Sequence, residues 1–366
     1  MHHRHSLTLL LLCLIGSASA LAQAPPSSNT PINAAEQAAV IATLGQQLQS
    51  HYVFSDVAIR TAAALSAKDA HGDYRRANTT AAFAEALSLD LESIGKDRHL
   101  RVNFAPGFPL SPQQDDKAAL AKHMAELRPA MASESFGISR VQLLPGNVGY
   151  LDLRGFGPTE VVGAAYDSAI SLLAGTNVLI LDLRQNGGGE PDGVAYLVSH
   201  FFAEGDARHL NDIYNRLDST TRQYWTIPSA TPRFSGPIYV LTSHDTFSGG
   251  EECAYDLQTQ KRATLIGETT GGGANPGDNV SLGHGFIAFI PTSRSINPIT
   301  KANWEHVGVK PDVEVPAEAA MKIAYVTILN NLIKTRKDPD EKDELKDILA
   351  RVQSGAFQLP EYSSRH

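Results

Sequence analysis

Three stretches of this sequence carry residue types that could do covalent chemistry. The first is Ile238–Glu251 (IYVLTSHDTFSGGE), which the apolar pattern reads as a strand, a tight turn and the start of a helix. Ser248 falls on the turn. A hydroxyl there is presented on a sharp bend, and the helix N-terminus adds positive potential for a developing oxyanion. The layout is that of a nucleophile elbow, although Gly-x-Ser-x-Gly itself is absent. Standing alone, Ser248 is more simply a helix N-cap. The second stretch is Leu181–Gly189 (LDLRQNGGG), whose three glycines follow a strand and let backbone amides approach a ligand closely. Such amides could bind a phosphate or a tetrahedral oxyanion, or the glycines could simply make a turn. No Gly-Lys-Ser/Thr follows, which excludes a Walker P-loop, and Gly-x-Gly-x-x-Gly is not satisfied. Gly267–Gly273 (GETTGGG) is a similar turn. The third group is His99, one of 13 histidines, and Glu305 within Asn303–Asp312 (NWEHVGVKPD), each a weak signal by itself. Cys253 lies inside the helix that Ser248 opens, where a small buried thiol is expected. No His-Glu-x-x-His or paired-cysteine set is present, so neither a metal nor a cofactor is expected.

Strand–helix alternation from Gly146 onward must position these residues. Val148–Leu153, Val178–Leu183, Ile238–Thr242 and Thr264–Gly267 are short apolar strands, with helices over Thr159–Leu173, Asp192–Phe202 and Gly249–Gln260 between them. That pattern predicts a mixed α/β core over residues 146–335. His209–Leu217 and Thr221–Ile227 form a β-hairpin excursion from it. Before the core, Val40, Leu44 and Leu48 recur at helical spacing. Ser55–Ala67 and a helix from Thr79/Thr80 through Ile94 follow, predicting a small helical bundle over 33–104 that closes with a strand at Asp97–Phe104. Residues 105–145 form a linker region with a helix at Asp115–Met131. Ala317–Lys334 and Pro339–Val352 are closing helices, the second in a charged segment over 336–366.

The ends and the composition bound the setting. Arg4, the apolar run Leu7–Ile15 and the small residues at Ala18–Ala22 make a secretory signal peptide over 1–22, with a disordered leader over 23–32. The apolar run is far short of the roughly 20 residues a membrane span needs. The expected location is periplasmic or secreted. With Cys13 removed, Cys253 is the one remaining thiol, so no internal disulfide can form. The formal charge of −8 gives no basic stripe for nucleic acid.

Taken in order, these segments resemble the tail-specific (C-terminal-processing) serine peptidases, in the branch of the interphotoreceptor retinoid-binding protein modules and the tricorn protease core. The resemblance runs from Gly146 to about Ala320, through Gly146–Leu153, Leu181–Gly189, Ile213–Arg216 with Tyr224–Pro228, Thr242–Glu251, Gly267–Ala274, Pro291–Ser295 and Trp304–Asp312. It implies a ClpP/crotonase-like mixed α/β catalytic core behind the helical bundle, and a peptide or protein substrate. The family's nucleophile falls on Ser248. The bacterial processing branch activates that serine with a lysine, whose place Gly273 occupies here. The tricorn-like branch uses a histidine and a glutamate, which match His99 and Glu305. The implied oxyanion donors are the Gly249 amide and one at Gly187 or Gly188. One departure stands out: Arg98 precedes His99, where the tricorn-like tetrad has serine. The span between His99 and Val148 leaves no room for a PDZ domain. Two rival functions share related folds. A non-catalytic module binding a retinoid or fatty acid would keep Ser248, His99 and Glu305 as relics. An acyl-CoA enzyme of crotonase type fits poorly with an exported chain.

Overall fold

The computed structural model describes residues 29–110 and 117–364. The expected signal peptide and most of the leader lie outside the described residues. The end of the leader does not behave as a loose tail: Ile32 is buried, and Thr30 and Ile32 exchange backbone hydrogen bonds with Thr80 and Asn78. An apolar side chain two residues before the first helix has core to enter, and that pins it.

The chain first builds α1 (Ala34–His51), α2 (Ser55–His71), α3 (Thr80–Gly95) and strand β1 (Arg101–Phe104). Asn33 opens α1 with a capping box, its side chain accepting from the Glu36 amide while Glu36 reaches back to the Asn33 amide. The predicted strand at Asp97–Phe104 is shorter than expected. Asp97 turns the chain instead, its carboxylate accepting the His99 amide at 2.9 Å, and extended structure starts only at Arg101. Next come α4 (Lys117–Ser133), β2 (Ile138–Leu144), β3 (Val148–Leu153), α5 (Thr159–Leu173), β4 (Val178–Asp182) and α6 (Pro191–Ser199). Then follow the hairpin β5 (His209–Asn215) and β6 (Thr220–Trp225), β7 (Ile238–Thr242), α7 (Gly249–Thr259) and β8 (Ala263–Gly267). The chain closes with β9 (Gly277–Gly283), β10 (Phe286–Pro291), β11 (Ser293–Ile296), β12 (Val313–Glu314), α8 (Ala317–Thr335) and α9 (Pro339–Ser354).

The central sheet has the order β12-β8-β7-β4-β3-β2. Its first five strands run parallel, and β2 pairs antiparallel with β3 at the edge. Every residue of β3 and β4 is buried, as expected of parallel strands covered on both faces. One face packs Leu151, Leu179 and Val240 against α5, α6 and α7. The other packs Tyr150, Ile180 and Leu241 against α8 and α9. The charged segment after residue 335 is therefore half core: Leu345, Ile348 and Val352 of α9 are buried.

The N-terminal helices are not a free-standing bundle. Their core of Leu44, Leu48, Phe83, Leu87 and Leu91 is completed by Leu282, Phe286, Ala288 and Ile290, from β9 and β10 much later in the chain. The strand β1 pairs antiparallel with β10, so this layer is stitched to the late part of the chain by a sheet of order β1-β10-β9. That seam carries residues 97–99 to the mouth of the central sheet.

Candidate active site

In an open parallel sheet, loops at the strand C-termini converge on one edge, and ligands bind there. Three adjacent strands of this sheet deliver the three turns singled out from the sequence. After β4 comes Leu183–Gly189, after β7 comes Ser243–Ser248, and after β8 comes Glu268–Gly273.

Ser248 has φ 54° and ψ −120° and stands immediately before α7. A non-glycine residue in that region stores on the order of 1–3 kcal/mol of strain, so surrounding contacts must hold it. Glu251 supplies several of them. Its carboxylate accepts from the amides of Ser248 (2.9 Å), Gly272 (2.7 Å) and Gly273 (2.8 Å), and from the Thr270 hydroxyl. One buried side chain therefore ties the Ser248 turn to the turn after β8. Burial outweighs these donors and raises the Glu251 pKa to about 7. On the other side, the Phe247 amide donates to Asn186 O at 2.9 Å. Gly188, at φ 102°, approaches so closely that a Cβ on it would stand 2.6 Å from Ser248 Cβ.

The oxyanion assignment needs correcting. The Gly187 amide already donates to Arg154 O at 3.1 Å, and the Gly188 amide to Asn186 Oδ1 at 2.9 Å. Neither N–H is free to meet a substrate oxygen. The Gly189 and Gly249 amides carry no hydrogen bond to another described residue. They also adjoin, since a Cβ on Gly249 would lie 3.0 Å from Gly189 N. The sequence showed the glycine run but not which member keeps an open amide; the side chain of Asn186 decides that.

A recess of about 40 Å³ opens beside these groups, lined by Gly189, Ser248, Gly249, Glu252, Ala274 and Trp304 among others. At roughly 10–15 Å³ per water it holds only a few water molecules. Glu252 is buried in its wall, and burial pushes its pKa to about 8. One helical turn further, Asp256 is buried with both carboxylate oxygens lacking a hydrogen-bond partner. Cys253, between them, is a buried free thiol with its pKa raised by burial.

His99 reaches the site from the N-terminal layer. Its ring lies 4.6 Å from the Phe247 ring and 5.8 Å from that of Phe289, centroid to centroid. Phe247 is the residue before Ser248, so the imidazole packs on the neighbour of that serine. Gly273 makes room for it: a Cβ there would lie 2.6 Å from His99 Cε1 and 2.3 Å from Phe247 Cζ. A side chain at 273 would require the His99 and Phe247 rings to shift.

Glu305 is close by, its Oε2 accepting from the Ala274 amide at 2.6 Å while Oε1 has no hydrogen-bond partner. Burial and the nearby Asp97 raise its pKa to about 8. Asp97 is the residue that sequence reasoning passed over. It is fully buried, with Oδ1 3.5 Å from His99 Nδ1. The Tyr52 hydroxyl (3.1 Å) and Asn275 Nδ2 (3.0 Å) donate to its Oδ2. The signal was its place two residues before His99. Arg98, the departure from the tricorn-like pattern, points elsewhere, donating to Gly271 O at 2.7 Å and lying over the Phe247 ring. Donor atoms of Asp97, His99 and Glu305 lie within 4.8 Å of one another. A divalent cation could use such a set, but most Asp97 and Glu305 oxygens are already accepting protein hydrogen bonds.

Two family profiles match the chain in succession. The peptidase family S41 profile covers residues 147–315, and the profile for the N-terminal domain of S41 peptidases in eukaryotic interphotoreceptor retinoid-binding protein covers 33–139. The chain belongs to peptidase family S41. This S41 chain is 31% identical over 193 residues to a carboxyl-terminal-processing peptidase of Arabidopsis thaliana, covering 49% of the chain and 35% of that protein. It is 26% identical over 218 residues to a chloroplastic C-terminal processing peptidase of Tetradesmus obliquus, covering 58% of the chain and 45% of that protein. The chain thus spans less than half the length of these relatives. The fold is that of mature CPAF, with a TM-score of 0.56 at 11% identity over 90% of this chain and 99% of that one. A lipoprotein from Streptococcus agalactiae shares it at a TM-score of 0.51 and 12% identity, over 85% of this chain and 99% of the other.

Proposed function

We propose that this S41 chain is a serine endopeptidase in which Ser248 is the nucleophile and His99 the general base, with Glu305 in the same acid–imidazole cluster. The observation that carries the reading is the strained Ser248 backbone at a helix N-terminus, beside two open amides, with the His99 ring packed on that of the preceding residue, Phe247. A bare N-cap would not require φ 54°.

The reaction runs as an acyl transfer. Ser248 Oγ attacks the substrate carbonyl carbon while His99 takes the hydroxyl proton. The carbonyl π electrons move to oxygen, which receives the Gly189 and Gly249 N–H groups. Losing one such donor typically costs about 2.7–4 kcal/mol of transition-state stabilisation. Collapse of the intermediate breaks the C–N bond, and His99 returns the proton to the leaving amine. Water then repeats the sequence on the acyl-enzyme.

The recess at Ser248 is itself too small to enclose a retinoid or a fatty-acid chain. The proposed setting is periplasmic or secreted, on the strength of the N-terminal signal pattern. Among the described residues no helix is long and apolar enough to cross a membrane. The test is cleavage of an unstructured peptide library by the wild type and by Ser248→Ala. Cleavage only by the wild type supports the assignment; equal cleavage by both refutes it.

A further inference from the structure

The resemblance assigns the orienting acid to Glu305, but the geometry around His99 favours another carboxylate. We propose that Asp97 is the carboxylate that positions His99, and that Glu305 faces the pair as a neutral carboxylic acid. This deepens the peptidase reading and rests on it.

The argument starts from what each acid's oxygens already do. Asp97 accepts from the His99 amide through Oδ1 and from Tyr52 and Asn275 through Oδ2. Three donors converging on one buried carboxylate stabilise its ionised form. Its direction of titration agrees: although burial opposes it, hydrogen bonds and the His99 charge hold the Asp97 carboxyl below the usual range. The fixed Oδ1 lies 3.5 Å from His99 Nδ1, on the ring nitrogen whose N–H would leave Nε2 for the serine. Neither ring nitrogen has a hydrogen-bond partner as the structure stands, so a small ring rotation can close this contact without breaking another.

Glu305 is placed differently. Its one protein hydrogen bond comes from the Ala274 amide, and Oε1 has none. Two carboxylates this close do not both ionise readily, and the proton goes to the one with fewer donors. The other charged groups around the pair are Glu251 on α7, Arg98 above Phe247, and His306, whose Nδ1 lies 3.5 Å from Glu305 Oε1. The division of labour follows. Asp97 selects the Nδ1–H tautomer and balances the imidazolium during attack, as the buried acid of a serine triad does. Glu305 stays uncharged, and the contact of Asp97 with the histidine does not need the serine that Arg98 replaces.

Kinetics and proton NMR of Asp97→Asn and Glu305→Gln test this together. Asp97→Asn should lower kcat on the order of 10³–10⁴-fold with KM little changed, and erase the downfield His99 Nδ1–H resonance. Glu305→Gln should lower kcat at least about tenfold less than Asp97→Asn does and keep the resonance, being close to isosteric with a protonated acid. Tyr52→Phe, which removes one donor without touching the ring, should lower kcat several-fold and shift the resonance, and it covers the case in which Asp97→Asn fails to fold. The proposal is overturned if Glu305→Gln causes the larger loss, if the two losses are equal, or if the resonance survives in Asp97→Asn. The NMR experiment is repeated in a Ser248→Ala background. There it reports on the Asp97–His99 contact even if Ser248 were not the nucleophile, so the two readings fail separately.

Discussion

The two halves of the site are built by different means. The nucleophile half comes from three neighbouring parallel strands whose turns lock one another: Glu251 bonds the Ser248, Gly272 and Gly273 amides, and Asn186 bonds Phe247 and Gly188. The His99 half comes from a separate layer with its own core, stitched on through β1 and β10, and it presents one histidine whose backbone amide donates to Asp97. The first half is over-determined and can carry a strained serine. The second depends on a seam, and on the absence of a side chain at Gly273.

The largest expected effect is on the hydroxyl itself. Ser248→Ala should lower kcat by on the order of 10⁴–10⁶-fold with thermal stability retained, and His99→Ala should be nearly as damaging, because members of one catalytic unit are not additive. Comparable peptide turnover in either variant removes the comparison's basis. Gly273→Ala attacks the seam. Its new methyl meets His99 and Phe247 at 2.6 and 2.3 Å, so the imidazole must move. A displacement of about 1 Å should cost on the order of 10²-fold in kcat and slow labelling of Ser248 by small acylating agents. Undiminished kcat would show that the histidine tolerates the shift.

Glu251→Gln probes the locked half. A carboxamide cannot accept at both ends, so one pair of donors is left unmatched. The expected cost is about 1–3 kcal/mol in urea unfolding, with activity falling as the turns loosen. An unchanged midpoint would mean that the strut is redundant.

The smallest effect is a slope. Glu252 titrates near 4.5 when unfolded and, because of burial, near 8 when folded. Between those values the folded state retains a proton that the unfolded chain has released, so stability falls as pH rises through that window and levels off above it. Glu252→Gln should flatten this part of the urea-midpoint profile between pH 5 and 8.5. A wild-type profile rising across the same range contradicts the assignment.

What could be read in advance follows the same division. The central strands and helices were legible because each is a short apolar run or a 3.6-period stripe; β3, β7 and α5 begin and end where the periodicity places them. Strands β9 to β11 were missed, since half-exposed segments such as Gly277–Gly283 carry little alternation and find their partners far along the chain. Ser248, His99 and Glu305 were singled out by motif order. Asp97 was not, because a short-range Asx turn and a buried acid look alike in sequence, and only Tyr52 and Asn275, 45 and 178 positions away, tell them apart. The exchange of Gly187 and Gly188 for Gly189 has the same origin: the hydrogen-bond state of an amide is a tertiary fact.

The central claim is that two separately built halves make one activated serine. Labelling with a fluorophosphonate, followed by peptide mass spectrometry, tests it most directly. The account predicts a single adduct on Ser248, absent in Ser248→Ala and strongly slowed in His99→Ala. An unlabelled wild type, or labelling at Ser248 that does not depend on His99, would contradict it.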